Sequence, residues 1–227
     1  MTLKTLLTLI SGLAWTIVYI EGIRLGFKDR TYAIPFFALA LNIAWESIYT
    51  AYGLRTSPFD VQTIINAVWF LFDIGILYTY LKFGKQYFPA ALPQRWFLPW
   101  SLLGLLMAFL VEYAFAREFG QLKGGSYAAF LQNLLMSVLF ITMLIQRGSK
   151  AGQSLVIAVC KWIGTLAPTI IFGVMGTRTF NGPSFLIFVC GAFCSVFDVI
   201  YILLLARKRV GPTEEVAPMQ RATLIGI

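Results

Sequence analysis

The most regular feature of the chain is the alternation of long apolar segments with short polar ones. Seven apolar segments have about the length, roughly 20 residues, that a helix needs to cross the hydrocarbon core of a bilayer. They are residues 3–23, 32–53, 61–82, 97–117, 127–146, 153–175 and 184–206. The polar segments between them carry chain-breaking residues, among them Gly124 and Gly125 before the fifth apolar segment, and they are too short for a separate soluble domain. The pattern therefore predicts an all-α fold, a bundle of seven transmembrane helices.

Composition supports a membrane location. Of the 227 residues, 59% are hydrophobic and only 12% are charged, whereas soluble domains average about 25% charged residues. Such a chain lacks the polar groups that would cover a surface facing water. We expect an integral, multi-pass membrane protein in which residues 1–210 form one transmembrane domain and residues 211–227 form a tail.

The basic residues predict an orientation. Twelve of the 18 lysines and arginines fall in segments on one side of the predicted bundle, five fall on the other side, and Lys161 lies within a span. The positive-inside rule then places the C-terminus in the cytoplasm and the N-terminus outside or in a lumen. The net charge of +8 is explained by this topology and by contact with anionic lipid, so we expect the lipid bilayer as a partner and no nucleic acid.

Four acids lie within the apolar segments: Glu46, Asp73, Glu112 and Asp198. An ionisable group inside the membrane is costly, so it indicates a functional site by default. Glu46 is the strongest candidate because no basic residue shares its helix segment or its level. Asn42 lies four residues earlier and therefore shares its helix face.

The other three acids have plainer interpretations. Lys161 and Asp198 lie at similar depths on consecutive predicted helices, so they can neutralise each other as an ion pair. Asp73 is open to a structural role as the hydrogen-bond partner of a Ser, Asn or Tyr. Glu112 lies near the outer end of its helix, and we expect its side chain to snorkel toward that surface or to face a loop.

Residues missing from the chain limit its chemistry. The sequence has no histidine, which excludes His-based triads and most metal sites. It also has no aspartate-rich cluster for magnesium diphosphate and no glycine fingerprint for nucleotides. Carboxylic acids beside aromatic rings remain: a buried acid that keeps its proton can act as a general acid, and aromatic faces stabilise the cation that follows. We expect no metal and no cofactor.

Two helices carry motifs that identify a family resemblance. Segment 41–46, LNIAWE, resembles the N-x-x-W-E signature of the integral-membrane terpene cyclases of fungal indole-diterpene and meroterpenoid pathways, of the paxilline and pyripyropene type. Segment 194–201, CSVFDVIY, resembles the part of that family which carries a second acid. Segments 132–137, QNLLMS, and 161–165, KWIGT, are also similar to it.

The resemblance implies a cyclase that protonates the terminal epoxide or alkene of a polyprenyl substrate and directs ring closure until a proton is lost. It implies that Glu46 and Asp198 are the catalytic acids. The expected substrate-binding residues are Asn42, Trp45, Trp69, Asp73, Asn133, Lys161 and Trp162. A pathway monooxygenase and prenyltransferase are the implied partners, and the endoplasmic reticulum is the implied location in a eukaryote.

Two other functions fit a seven-helix protein of this length. A small proton-coupled carrier would explain acids within the membrane, but it predicts two matching three-helix repeats, and the first and last three segments show only a weak match. A retinal-binding photoreceptor would carry a lysine on its last helix, whereas Lys161 lies one helix earlier.

Overall fold

The fold is an all-α bundle, seen in a computed structural model that describes residues 2–207. Seven α-helices follow one another in this part of the chain: α1 (Leu3–Lys28), α2 (Phe36–Thr56), α3 (Val61–Phe83), α4 (Phe97–Phe119), α5 (Gln121–Arg147), α6 (Leu155–Pro168) and α7 (Phe185–Arg207). A π-helical segment, Thr169–Met175, extends α6. Within residues 2–207 there is no β-strand, only a single bridge between Thr177 and Gly182. The predicted tail, residues 211–227, lies outside the described residues.

Local capping explains several of the helix starts. The side chain of Thr2 accepts a hydrogen bond from the backbone N–H of Thr5 at the start of α1. Asp60 does the same for Gln62 at the start of α3, and Ser154 does so for Ile157 at the start of α6. These side chains satisfy backbone donors that the first turn of a helix leaves unpaired. Pro35 precedes α2, where its missing N–H costs nothing.

Six of the seven helices are long and apolar enough to cross a membrane, and α2 is the exception. It is long enough, at 21 residues, but its most apolar stretch is less apolar than those of the others. It buries 11 of its residues because it packs against α3, α4 and α5. A helix that shows little of its surface to lipid can carry polar residues on its buried faces. The predicted seven-helix bundle is therefore confirmed, and its orientation in the membrane stays a prediction.

One predicted loop is wrong. Gly124 and Gly125 were expected to break the chain before the fifth helix, but both lie inside α5 and are buried. A side chain on Gly124 would collide with the backbone carbonyl of Phe115 on α4. The glycines let two helices approach closely, a common use of small residues between membrane helices.

The helices form a closed ring. Contacts run from α1 to α6, α7, α5, α4, α2, α3 and back to α1, and α2 also touches α5 across the ring. One face of the bundle holds the start of α1 and the α2–α3, α4–α5 and α6–α7 connections; we call it the N-terminal face. The ring leaves an internal space that opens toward this face.

Candidate functional site

A cavity of about 650 Å³ lies between α1, α2, α3, α5 and α6. Its mouth at the N-terminal face includes the exposed residues Thr56, Ser57 and Asp60. Its closed end includes Tyr19, Asn42 and Trp69. From Thr56 to Asn42 the wall formed by α2 spans 14 residues, or about 21 Å at 1.5 Å of rise per residue. The volume lies within the usual range for pockets that bind small molecules.

Glu46 lies in the wall of this cavity. Its side chain is only 4% exposed, and its Oε2 atom has no hydrogen-bond partner. Within residues 2–207 it forms no ion pair. Asn42, one turn deeper on the same helix face, also lines the cavity, as the four-residue spacing predicts. The other lining acid, Asp60, is exposed at the mouth, where it caps α3. Glu46 is thus the one buried acid that lines the cavity in the described part of the chain.

Aromatic rings form much of the deeper wall. Trp45 and Trp69 line the cavity as predicted, and hydrogen bonds fix both indole rings. Trp45 Nε1 donates to the Gly125 carbonyl at 2.9 Å, and Trp69 Nε1 donates to Thr16 Oγ1 at 3.2 Å. Trp162, the third predicted tryptophan, is not among the lining residues. On the same helix, Thr165 and Pro168 do line the cavity.

Six further aromatic residues line the cavity and were not predicted from the sequence: Trp15, Tyr19, Tyr49, Tyr52, Phe130 and Phe172. The ring centroid of Tyr19 lies 6.4 Å from that of Trp15 and 6.0 Å from that of Trp69. Trp15 and Tyr19 are four residues apart, as are Trp45 and Tyr49, so each pair shares a helix face. This four-residue spacing is the signal in the sequence that could have identified Trp15, Tyr19 and Tyr49.

Asn133 and Asp73 occupy different positions relative to the cavity. Asn133 lines it, from α5. Asp73 is fully buried behind the wall, where its Oδ2 accepts a hydrogen bond of 3.5 Å from the hydroxyl of Tyr19. The Tyr19 hydroxyl in turn accepts one of 3.3 Å from Asn42 Nδ2. The predicted hydrogen bond between Asp73 and a Ser, Asn or Tyr is confirmed, with a tyrosine as the partner. Asp73 does not line the cavity, and its contact with substrate stays a prediction.

The predicted ion pair between Lys161 and Asp198 is confirmed. Lys161 Nζ lies 2.7 Å from Asp198 Oδ1 and 3.0 Å from Oδ2, and it also donates to Ser137 Oγ at 2.7 Å. Both side chains are buried, with exposed fractions of 0% and 1%, and neither lines the cavity. The structure therefore does not bring Asp198 together with Glu46.

The prediction for Glu112 is wrong. Its residue is only 1% exposed, because this position of α4 faces the interior between α2 and α5, both of which α4 contacts. Its neighbour is Gln132 on α5. With the Gln132 amide turned so that its nitrogen faces α4, that nitrogen donates to Glu112 Oε1 at 3.2 Å and to the Leu41 carbonyl at 3.3 Å. Gln132 itself lines the cavity.

A site of this kind has an acid for proton transfer and aromatic faces for a cation. Within residues 2–207, no three His, Cys, Asp or Glu side chains come together as ligands of a metal ion. Glu46 and the aromatic rings line a cavity that leads from one face of the bundle into its middle. The site can therefore enclose a long apolar molecule with one end near Glu46.

Comparison with known proteins identifies the family. The chain matches the Pyr4-like transmembrane terpene cyclases over residues 1–209. It is 33% identical over 168 residues to the Pyr4-family terpene cyclase mfmH of Annulohypoxylon moriforme, covering 73% of this chain and 68% of the relative. It is 29% identical over 206 residues to the terpene cyclase pyr4 of Aspergillus fumigatus, covering 88% and 85%.

A third relative is the terpene cyclase janB of Penicillium janthinellum, with 32% identity over 165 residues that cover 72% of this chain and 67% of the relative. No solved structure matches the chain. The match over residues 1–209, together with six helices apolar enough to cross a membrane, makes the protein an integral, multi-pass membrane enzyme. The chain belongs to the Pyr4-like transmembrane terpene cyclases.

Proposed function

We propose that this cyclase starts ring closure by protonating a polyprenyl substrate with Glu46, without a metal ion. The observation that carries the proposal is the position of Glu46: a buried carboxyl group, free of any ion pair in the described residues, in the wall of a cavity rich in aromatic rings. An acid in such surroundings is disfavoured in its charged form, so it holds a proton that it can give away. Membership of the family supports the reaction class, and the buried position of Glu46 in the cavity wall supports its role as the proton donor.

The proposed reaction conserves atoms. The carboxyl proton of Glu46 passes to the terminal epoxide oxygen, the C–O bond to the more substituted carbon breaks, and a tertiary cation forms. The π electrons of the next double bond then form a carbon–carbon bond to that cation and move the charge along the chain. The last cation loses a proton from a neighbouring carbon to a water molecule, and a proton from water returns to the Glu46 carboxylate, so the acid is regenerated and the product is an isomer of the substrate. With an unepoxidised substrate, the first proton would go to an alkene carbon instead.

Four further residues of the cavity wall have a proposed role. Asn42, one turn from Glu46, donates a hydrogen bond to the epoxide oxygen or to the acid. Trp45 and Trp69 present ring faces to the cations, each worth roughly 0.5–2 kcal/mol. Asn133 contacts the substrate from α5. Trp162 does not line the cavity, and we assign it no role.

Asp198 has an indirect role in this proposal. Because it is held by Lys161 outside the cavity, it has a counter-ion and no route to the substrate. Lys161 also donates a hydrogen bond to the hydroxyl of Ser137, and that hydroxyl donates to the Asn133 carbonyl at 2.9 Å. Thr165, one turn from Lys161 on α6, lines the cavity as well. The ion pair therefore positions the wall, and the resemblance-based role of Asp198 as a direct acid becomes the alternative that experiments must separate.

The setting of the reaction follows from its chemistry. The substrate is a meroterpenoid or indole-diterpene precursor whose polyprenyl chain a prenyltransferase attaches and a monooxygenase epoxidises. Such a greasy molecule partitions into the bilayer, and in a fungal cell the enzyme would work in the endoplasmic reticulum. Membership of a terpene cyclase family favours this function over a proton-coupled carrier.

The test uses membranes that contain the protein. Farnesyl- and geranylgeranyl-substituted aromatic compounds, with and without a terminal epoxide, are incubated with wild-type, Glu46→Gln and Glu118→Gln membranes, and the products are separated and weighed by mass spectrometry. Glu118 is an exposed glutamate on α4 and serves as the matched control. We expect a product of unchanged mass and altered retention with wild type and E118Q, and none with E46Q. Full conversion by E46Q would exclude Glu46 as the proton donor.

A further inference from the structure

A chain of buried polar side chains crosses the bundle beside the cavity. It runs from Glu112 on α4 through Gln132 on α5, Asn42 on α2 and Tyr19 on α1 to Asp73 on α3; we call it the acid–amide chain. Gln132 has two orientations here: with its amide oxygen toward Glu112 Oε1, its nitrogen lies 3.3 Å from Asn42 Oδ1 and can donate to it, whereas turned as above it brings two oxygens together at that point. The remaining links are those described for the site, 3.2 Å, 3.3 Å and 3.5 Å long.

Both ends of the acid–amide chain are acids without a cation. Glu112 and Asp73 are 1% and 0% exposed, and neither forms an ion pair within residues 2–207. One oxygen of each, Glu112 Oε2 and Asp73 Oδ1, has no hydrogen-bond partner. Burying polar groups that are only partly satisfied is unfavourable. Two such acids in one hydrogen-bonded chain therefore indicate a function, and the function is to be sought where the chain meets the cavity.

The chain meets the cavity at three side chains, Gln132, Asn42 and Tyr19. Two of these are amides, which can present either an oxygen or an N–H group to a neighbour after a half-turn. The orientation of Asn42 therefore depends on what its neighbours offer. If Glu112 holds a proton and donates it to the Gln132 oxygen, the Gln132 nitrogen donates to Asn42 Oδ1. Asn42 Nδ2 is then left to donate to Tyr19 and, with its second hydrogen, toward the cavity.

We infer that Glu112 is a positioning residue of the cyclase site, which acts through Gln132 to hold an N–H group of Asn42 toward the cavity one turn from Glu46. The inference rests on the proposed function, because the N–H group matters if an oxygen of the substrate must accept a hydrogen bond there. A donor fixed before the substrate arrives costs no reorganisation when charge moves on the oxygen. Asp73 holds the other end of the acid–amide chain through Tyr19.

The inference predicts a pattern among three variants of the full-length protein in membranes. Glu112→Leu keeps an apolar side chain of similar size but ends the hydrogen bonding, so kcat falls between about tenfold and a hundredfold. KM changes little because Glu112 does not touch the cavity. Glu112→Gln, which can still donate to Gln132, restores most of the rate. Glu118→Leu on the exposed face of the same helix changes neither parameter.

A double-mutant cycle tests whether Glu112 acts through Gln132. If it does, Glu112→Leu combined with Gln132→Leu loses no more rate than the more damaging single variant, because one chain is broken once. Amounts of folded protein, measured by fluorescence-detected size exclusion, separate a fall in kcat from a loss of protein. A merely structural role would lower the amount of folded protein and leave the rate per folded molecule unchanged.

The possible outcomes distinguish a failure of the role proposed for Glu112 from a failure of the proposed function. If wild type cyclises an epoxide and E46Q does not, while E112L keeps the full kcat, the role of Glu112 is overturned and the proposed function stands. Additive losses in E112L and Q132L would likewise overturn the link between them. If wild type converts no polyprenyl epoxide or alkene, the proposed function fails and the role of Glu112 falls with it. The role of Glu112 is established if E112L lowers kcat, E112Q restores it, and the losses in E112L and Q132L are not additive.

Discussion

Two groups of buried polar residues differ in one respect, the presence of a cation. Around Glu46 lie two further buried acids, Asp73 and Glu112, and none of the three forms an ion pair in the described residues. Around Asp198, Lys161 supplies the counter-charge and Ser137 a further hydrogen-bond partner to that lysine. In a low dielectric an isolated carboxyl group avoids the charged form, whereas a paired one can be charged. The first group can therefore supply a proton, and the second binds helices together.

The position of each group relative to the cavity follows the same division. Glu46, Asn42 and Gln132 line the cavity, and the ion pair lies outside its wall. An acid that must give a proton to a substrate needs contact with the substrate. An ion pair that joins α6 to α7 needs protection from water and lipid instead. Both arrangements place acids within a membrane protein, and only one of them indicates catalysis.

The largest expected effect comes from giving Glu46 a cation of its own. Asn42→Lys places an amine one turn from Glu46, so the carboxyl group becomes a charged partner in an ion pair like that of Asp198. We expect the cyclisation rate to fall at least about a hundredfold, the low end of what a general acid contributes. Asn42→Leu removes the same amide without adding a charge, so it should cost less. Equal losses in rate assays of the two variants would show that the charge state of Glu46 is not what matters.

The next effect comes from breaking the other group. Lys161→Met leaves Asp198 buried without its partner, which should lower the free energy of unfolding by about 3–5 kcal/mol. Thermal unfolding in detergent would measure this loss. Lys161→Met combined with Asp198→Leu removes both charges, so it should recover most of the stability and keep cyclase activity. Loss of all activity in a stable double variant would establish Asp198 as a direct participant in catalysis.

A smaller effect concerns the shape of the cavity. A Cβ atom on Gly125 would lie 2.7 Å from the ring of Tyr49, so Gly125→Ala pushes that ring into the cavity. Overpacking of this kind costs about 1–3 kcal/mol, and we expect a higher KM for the longest substrates. Gly12→Ala is the control, because Gly12 also lines the cavity and a Cβ atom on it meets nothing within 4 Å. Equal KM values for the two variants would mean that Tyr49 does not limit the space for substrate.

The smallest effect separates two tryptophans. Trp69→Leu removes a ring face from the wall, so it should raise the barrier to cyclisation by roughly 0.5–2 kcal/mol. Trp162→Leu removes a ring that does not line the cavity and should leave the rate nearly unchanged. Rates of product formation in the two variants, corrected for folded protein, would show the difference. A larger loss in the Trp162 variant would mean that substrate occupies another part of the bundle.

The sequence predicted most of the fold, because the hydrocarbon thickness fixes helix length and the apolar segments show it directly. Its main error, the loop at Gly124 and Gly125, arose because glycine is both a chain breaker and a residue for close helix packing. Only the contact with Phe115 on α4 decides between the two uses. A single helix can seem too polar for lipid, as α2 does, until its neighbours are known.

The site was predictable where one helix supplies several of its residues. Asn42, Trp45 and Glu46 lie on α2, and their spacing places Asn42 and Glu46 on one face. Glu112 was misplaced because depth along a helix says nothing about which way a residue faces around it. Lys161 and Asp198 could be paired from depth because opposite charges attract at one level. Gln132 begins a segment that resembles the family, but the sequence assigns it no role, since that role depends on neighbours from α2 and α4.

The most direct test of the difference between the two groups is infrared spectroscopy of the carboxyl groups, with the protein in membranes at the pH of the activity assay. We expect the difference spectrum of wild type minus E46Q to show the C=O stretching band of a protonated carboxyl group. We expect that of wild type minus Asp198→Asn to show the bands of a carboxylate. A carboxylate signal from Glu46 would contradict the account, because an acid that has already lost its proton cannot start the reaction.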